Sequence, residues 1–237
     1  MAKDELVFKR VEKKYVLNKK QLEKFLLEIS SYIKKDNHDE YTIKNIYYDT
    51  DNYQLIRNSI DKPLYKEKLR IRCYDCFNNS ENVYVEIKKK FNKTVIKRRV
   101  NLNYQEAISY LNKKIKPNNN SQILNEIDYF INFYELKPKI YLAYERIAFC
   151  GKDNPSLRIT IDKNIRYRLN NYNINYDNDC DFLLDYNQYL IEIKTCTNFP
   201  LWLVKALNEN ELFPQSFSKY GNSYKQILKK GVAKPCS

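Results

Sequence analysis

From Lys66 to Arg72 the chain reads Lys-Glu-Lys-Leu-Arg-Ile-Arg. Successive side chains of a β-strand point to opposite faces. Lys66, Lys68, Arg70 and Arg72 therefore share one face, and Leu69 and Ile71 the other. Cations in a row repel one another unless something anionic sits among them. The same pattern recurs where Val83, Val85 and Ile87 alternate with Tyr84, Glu86 and Lys88, where Ile159 and Ile161 alternate with Arg158, Thr160 and Asp162, and where Ile191 and Ile193 alternate with Glu192 and Lys194. Several strands, each with one apolar and one ionic face, suggest a β-barrel whose inside is charged. Such a lumen suits a polyanion.

A net charge of +13 points the same way, toward anionic partners. Part of the lysine excess can equally be ordinary solvated surface. With only 3 Gly in 237 residues, Gly151, Gly221 and Gly231 cannot form a P-loop or a dinucleotide fingerprint. Bound phosphates would have to be held by side-chain cations, arginine as a bidentate fork and lysine as a point charge. The single histidine, His38, lies in a polar run and reads as a solvated loop residue, which argues against histidine acid–base catalysis. Cys73, Cys76, Cys150, Cys180, Cys196 and Cys236 are scattered, and Cys73-x-x-Cys76 has no second pair to complete a four-ligand zinc site. The first residues form no apolar secretory segment, and no run is long and apolar enough to span a membrane. The expectation is a cytoplasmic protein with reduced thiols.

Apolar spacing and breakers predict strands over 6–16, 41–48, 65–75, 82–91, 93–102, 139–149, 156–162, 164–169 and 189–195. Helices are predicted over 19–33, capped by Asn18, and over 52–60, 104–115 and 121–133, with another beginning near Pro200. Residues 170–181 read as a polar loop, and 213–222 as a loop before a short closing helix. No repeat or linker is visible, so residues 1–237 are expected to form one domain.

The stripe residues are Lys14, Lys68, Arg70, Arg72, Glu86, Lys88, Lys97, Arg99, Tyr144, Arg146, Arg158, Glu192 and Lys194. Like charges 4 Å apart repel by about 4 kcal/mol at an effective dielectric near 20. A face this basic must be wet, and should gain stability when an anion binds. Either these residues line a hydrated bore, or they form a solvated outer face over a conventional core. Glu86 and Glu192 stand in the same Glu-Ile-Lys triplet. Each can pair with neighbouring cations, or offer oxygen to a hard divalent ion, which commonly uses one or two carboxylates plus substrate phosphates.

Eight segments in order carry a family resemblance: Glu12–Tyr15, Ile46–Thr50, Leu69–Arg72, Val85–Lys88, Tyr144–Phe149, Leu157–Asp162, Glu192–Lys194 and Phe217–Tyr220. Together they resemble the VTC catalytic domain of the CYTH superfamily, the triphosphate tunnel metalloenzymes. The resemblance implies an α+β fold, an antiparallel β-barrel tunnel of about eight strands with a charged lumen and flanking helices, and ATP-dependent synthesis of polyphosphate with manganese or magnesium. It implies phosphate contacts from Lys14, Arg70, Arg72, Lys88, Lys97, Arg146, Arg158 and Lys219, with Tyr144 and Ser218 along the same path. Lys93 and Arg99 rival Lys97. Lys68 and Lys194 join the substrate contacts from the same stripes. Glu192, and secondarily Glu86, would hold the metal. Hydrolytic members carry Glu-x-Glu-x-Lys near the N-terminus, where this chain has Arg10-x-Glu12-x-Lys14. A cation at that position favours polyphosphate handling over two-metal hydrolysis. The eukaryotic relatives also carry an inositol-phosphate-sensing SPX domain and membrane helices; with neither visible in these 237 residues, the resemblance is to the stand-alone bacterial form, which is the expectation here.

The expected partners are ATP and polyphosphate or pyrophosphate, with a membrane-protein partner and the oligomeric state left open. Two other functions compete. One is hydrolysis of tripolyphosphate or a nucleoside triphosphate, with water as acceptor. The other is nucleic-acid binding with tyrosines as stacking platforms, which ranks last because the tyrosines read as spread through helices and loops.

Overall fold

The computed structural model describes residues 11–61, 63–75, 81–92, 94–118 and 121–231, without the Asn37 side chain. Arg10, Cys76, Lys93, Cys236 and the start of the first expected strand lie outside the described residues. The elements are β1 (Val11–Asn18), α1 (Lys19–Ile29), β2 (Ile33–Asp49), α2 (Gln54–Ile60), β3 (Tyr65–Tyr74), β4 (Asn82–Phe91), β5 (Thr94–Asn103), α3 (Tyr104–Lys113), α4 (Gln122–Tyr134), β6 (Lys137–Gly151), β7 (Arg158–Arg168), β8 (Asp181–Phe182), β9 (Gln188–Thr195), α5 (Leu201–Glu209) and α6 (Lys219–Lys229). The fold is α+β, as expected, and β1–β9, β2–β3, β3–β4, β4–β5, β7–β8 and β7–β9 pair antiparallel. The sheet has nine strands in the order β1-β9-β7-β6-β2-β3-β4-β5, with β8 attached to β7.

The chain divides into two compact units. The first comprises residues 1–41, 145–164 and 184–217, and the second residues 42–144, 165–183 and 218–237. Each has its own apolar core. In the first, Tyr15, Leu17, Ile159, Ile161, Ile191 and Ile193 from the strands meet Phe25 and Ile29 of α1 and Leu203 of α5. In the second, Leu69, Ile71, Val83, Val85 and Ile87 meet Ala107 and Leu111 of α3 and Leu124, Ile127 and Phe130 of α4. Full burial of each large aliphatic side chain contributes about 1.5–3 kcal/mol. An exposed ion pair contributes about 0–1 kcal/mol. The apolar parity therefore decides which face of each strand turns inward, and the ionic residues take the other face. Lys89 and Arg98 carry the apolar parity, and Glu126 of α4 meets both, at 2.5 and 3.1 Å.

Four boundaries differ from expectation. Helix α1 opens with the predicted cap, Asn18 accepting from the Gln21 amide at 2.9 Å and Gln21 returning the bond at 3.1 Å, but it ends at Ile29. Residues 33–40 are the start of a long β2 rather than helix end and loop, so His38 is an exposed strand residue. Among the described side chains of that stretch only Ile33 is buried, which is why the polar run shows no alternation. The two strands expected at 156–169 are one, β7, with Asn164 at φ 49 inside it, a conformation asparagine tolerates better than most residues. Helix α6 begins at Lys219, inside the expected loop, because Ser218 caps it by accepting from the Gly221 amide at 3.1 Å. Two-residue β8 also lies where a loop was expected. Cys73, Cys150, Cys180 and Cys196 are free thiols.

Helix α6 is anchored by one buried carboxylate. Asp49 accepts from the amides of Thr50, Leu55 and Ile56 at 2.8, 2.9 and 3.0 Å, and from the Tyr220 hydroxyl at 2.7 Å. The Tyr220 ring stacks on Tyr47 at 4.4 Å. Replacing Tyr220 by Phe keeps the stack but leaves Asp49 one donor short, so urea unfolding should show a loss of about 1–3 kcal/mol. Asp49→Ala should cost more, because it strands several buried donors. Unchanged stability of Tyr220→Phe would show that the hydroxyl does not hold the helix.

Candidate functional site: two ionic strand faces

In the second unit, β3, β4 and β5 align their ionic residues in cross-strand rows. Lys68, Lys88 and Lys97 form one row, Tyr47, Arg70, Glu86 and Arg99 the next, and Asn45, Arg72, Tyr84 and Asn101 the third. Glu86 is buried, 1% exposed, and its Oε2 accepts from Arg70 Nε at 2.9 Å and Nη2 at 2.7 Å. Lys97 Nζ approaches its Oε1 at 3.4 Å. Burial alone would push the Glu86 carboxyl up, but Arg70, Arg72 and Lys97 outweigh it and hold the carboxyl below its ordinary value. Arg70 also donates to the Tyr47 hydroxyl at 3.0 Å. Burial would raise the Tyr47 phenol too, yet Arg70, Arg72 and Lys68 together bring it down from 10.0 to about 8. Arg72 donates to Asn45 at 2.9 Å and to the Tyr144 hydroxyl at 3.2 Å. Lys219, at the start of α6, sits over the Tyr144 ring at 4.5 Å, and Lys68 over the Tyr220 ring at 5.7 Å.

In the first unit, β1, β9 and β7 build a smaller ionic face. Lys14 lies opposite Glu192, Glu12 opposite Lys194, Thr160 opposite Glu192, and Arg158 opposite Lys194. The two lysines bridge the two carboxylates. Lys14 Nζ lies 3.4 Å from both Glu12 and Glu192, and Lys194 Nζ lies 2.9 Å from Glu192 and 3.6 Å from Glu12. Lys14 also donates to the Phe217 carbonyl at 2.9 Å, which ties the chain before α6 to β1. Arg146 makes a two-pronged bond to the fully buried Asp162 at 2.6 and 2.7 Å. Arg158 is half-exposed and pairs with Asp36 at 2.9 Å.

The structure thus brings Lys68, Arg70, Arg72, Glu86, Lys88, Lys97, Tyr144 and Lys219 together in the second unit, with Ser218 as the cap of α6. Lys14, Glu192 and Lys194 come together in the first unit, where Arg158 lies opposite Lys194 and Arg146 is held by Asp162. Of the rivals to Lys97, Arg99 stands opposite Glu86 in register but lies 4.3 Å over the Tyr84 ring. Lys93 is outside the described residues. Sequence reasoning placed Tyr84 and Asp162 on the ionic parity without singling them out as site residues, and it did not pick out Asn45 and Tyr47, which carry the ionic parity of β2. It also misplaced the tyrosines: Tyr47, Tyr74 and Tyr84 lie on strands, under the guanidiniums of Arg70, Arg72 and Arg99.

Among the described residues, no group of three or more His, Cys, Asp and Glu side chains could hold a metal ion alone. The two candidate carboxylates differ in what they could do. Both Glu86 oxygens are taken up by Arg70 and Lys97 under cover, so it suits the counter-ion reading. Glu192 faces flexible lysines, and with Glu12 it offers the hard oxygen donors that magnesium or manganese accepts alongside phosphate.

Several solved structures are similar to the chain. A candidate adenylyl cyclase from Hippeastrum, described as having a dominant triphosphatase activity, matches with a TM-score of 0.52 at 13% identity, covering 94% of this chain and 96% of that one. A candidate adenylate cyclase from Vibrio parahaemolyticus matches with a TM-score of 0.49 at 14% identity, covering 93% and 97% of the two chains. One from Bacillus halodurans matches with a TM-score of 0.47 at 15% identity, covering 97% and 94%. No curated protein matches the chain by sequence. The model of the VTC domain matches residues 9–228, and with nearly the whole chain inside that match, the protein belongs to the VTC domain family.

Proposed function

We propose that the protein is an ATP-dependent polyphosphate polymerase that moves the terminal phosphoryl group of ATP onto the end of a polyphosphate chain. The observation that carries this reading is the imbalance on the second unit's ionic face. Lys68, Arg70, Arg72, Lys88 and Lys97 stand in adjacent rows around a single carboxylate, Glu86. Such a face is completed by an anion with charge repeated along its length. Arginine forks grip phosphate oxygens in pairs, and lysines supply point charge between them.

In the reaction, the bond between the γ-phosphorus and its bridging oxygen breaks, and the electron pair leaves with ADP. A terminal oxygen of the chain forms the new bond to phosphorus. That oxygen is already ionised at neutral pH, so no base is needed, in keeping with a chain whose one histidine is exposed on β2. The transition state is loose, and holding donor and acceptor in line while countering charge does most of the work. Arg70 and Arg72 are suited to this because Glu86, Tyr47 and Asn45 fix their guanidiniums before substrate arrives. Lys14 and Lys194 would turn from Glu192 toward phosphate. Glu192, helped by Glu12, would hold manganese or magnesium, which when bound neutralises charge on the phosphate oxygens. Hydrolysis, the activity described for the Hippeastrum protein, would use the same faces with water as acceptor. No helix of the described residues is long and apolar enough to cross a membrane.

Purified protein with ATP and Mn²⁺ should lengthen polyphosphate, seen as a ladder on a gel, with ADP formed in step. Arg70→Ala should slow this roughly 10²-fold or more, and Glu192→Gln should remove the metal dependence along with most of the activity. Free phosphate without chain growth would favour hydrolysis, and ATP use indifferent to Arg70→Ala would refute both.

Tyr47 provides a second check. An ultraviolet titration should show one tyrosine ionising near its value of about 8, lost in Tyr47→Phe. Tripolyphosphate should raise that value by countering the cations that lower it. Because the folded value lies below the unfolded 10.0, ionisation adds stability as pH climbs from about 8 toward 10. The same phenolate puts a negative charge on the face, so tripolyphosphate affinity should fall over that range. A Tyr47 that titrates only with the bulk tyrosines would contradict the proposed electrostatics.

A further inference from the structure

One end of the second unit's ionic face differs from the rest. Beyond the Arg70–Glu86 row the lysines give out, and Arg72, Tyr84 and Asn101 lie side by side, with Tyr74 next along β3. The Arg99 guanidinium stacks 4.3 Å over the Tyr84 ring, the Tyr74 ring meets Tyr84 edge-on at 6.0 Å, and Arg72 sits 5.9 Å from Tyr74. Tyr74 is 38% exposed, Tyr84 is partly exposed, and Arg99 and Asn101 are exposed. Flat aromatic and guanidinium surfaces that reach solvent are platforms for a nucleobase. An asparagine beside them can read a base edge, as asparagine does with adenine.

Direction along the strands gives this platform a role. Each row lies two residues from the next, roughly 6.6–6.8 Å. Two row steps, roughly 13 Å, separate Tyr84 from the Lys68–Lys88–Lys97 row. An extended nucleoside triphosphate covers such a span with its base at one end and its phosphates at the other. We infer that Tyr84, with Arg99, Tyr74 and Asn101, forms a base-binding subsite that orients a single purine nucleoside triphosphate along β3–β5, its phosphates pointing to the lysine row. This deepens the proposed function and rests on it. It assigns the face a polarity: the base end is closed to a growing chain, and the lysine end is where phosphates are added. It also separates donor from product, because inorganic polyphosphate has no group for the platform.

Calorimetric titration of the full chain with ATP and, separately, with inorganic tripolyphosphate tests this. Wild type should bind ATP more tightly than tripolyphosphate allows from phosphate contacts alone, measured against Tyr84→Ala. That variant should weaken ATP roughly 5- to 100-fold and leave tripolyphosphate within about twofold, while Tyr84→Phe keeps ATP affinity because the ring face is retained. Tripolyphosphate is the internal control for folding, since a damaged face would lose both ligands together. Equal weakening of both ligands, or of neither, would overturn the subsite while leaving the polymerase reading intact. Failure of wild type to bind either ligand would overturn that reading as well. Tighter, Tyr84-dependent binding of a single-stranded oligonucleotide than of ATP would overturn the single-nucleotide assignment.

Discussion

The contact between Arg70 and Glu86 makes the cationic face of the second unit possible. A buried carboxylate without a partner is costly, and so is a buried guanidinium; removing one member of such a pair typically costs about 3–5 kcal/mol. Here they neutralise each other at 2.7 Å, directly across the β3–β4 ladder. Their alignment makes Arg70 a rigid fork beside the neighbouring row of Lys68, Lys88 and Lys97. One acid suffices to fix the arginine but not to balance the face. The remaining field is visible in Tyr47, whose phenol is brought down to about 8 despite burial. A binding face that is organised yet short of negative charge is poised for an anion, and anion binding should stabilise the fold by mass action.

Parity was legible in the sequence, and register was not. Alternation from Lys66 to Arg72, and in the strands that follow, sorted core from ionic side chains correctly, because apolar burial outweighs exposed ion pairing at each step. Pairing depends instead on which strands become neighbours. Nothing local to Glu86 says that Arg70 will lie opposite it, or that Lys97 rather than Arg99 will reach its second oxygen. Asp162 shows the same limit: it ends a clear alternating segment, but its partner Arg146 comes from another strand. The boundaries that failed did so for related reasons. Residues 33–40 are a strand with one buried side chain among those described, so the backbone ladder holds them without any apolar signature. Helix α6 starts early because Ser218 can cap it and Tyr220 can reach Asp49, and only the second of these is a contact distant in sequence.

The tyrosines were misjudged most consequentially. As a set they read as spread through helices and loops, although the expected strands themselves hold Tyr47, Tyr74 and Tyr84. In the structure Tyr47, Tyr74, Tyr84 and Tyr144 occupy the ionic parity of their strands and meet cations ring to charge. A ring beside a guanidinium limits how far it swings, and its hydroxyl gives the guanidinium a neutral partner. The face therefore gains order without gaining acid, which would compete with phosphate.

Glu86 and Glu192 show how the same triplet acquires different chemistry. Both stand in Glu-Ile-Lys on an alternating strand, both are nearly buried, and both face cations. Glu86 meets an arginine whose planar fork engages it at fixed geometry, and letting go would uncover both charges at once. Glu192 meets two lysines, each a point charge on a flexible stem with a second carboxylate, Glu12, within reach. A lysine can exchange one anion for another at little conformational cost, whereas an arginine in a two-pronged bond cannot. In the proposed function, a phosphate arriving at the first unit would draw Lys14 and Lys194 toward itself and turn Glu192 and Glu12 toward a divalent ion. A phosphate arriving at the second would find Glu86 still bound and Arg70 still aimed. On that proposal the identity of the neighbouring cation, not the acid, separates a carboxylate that would hold a metal from one that holds a fork in place.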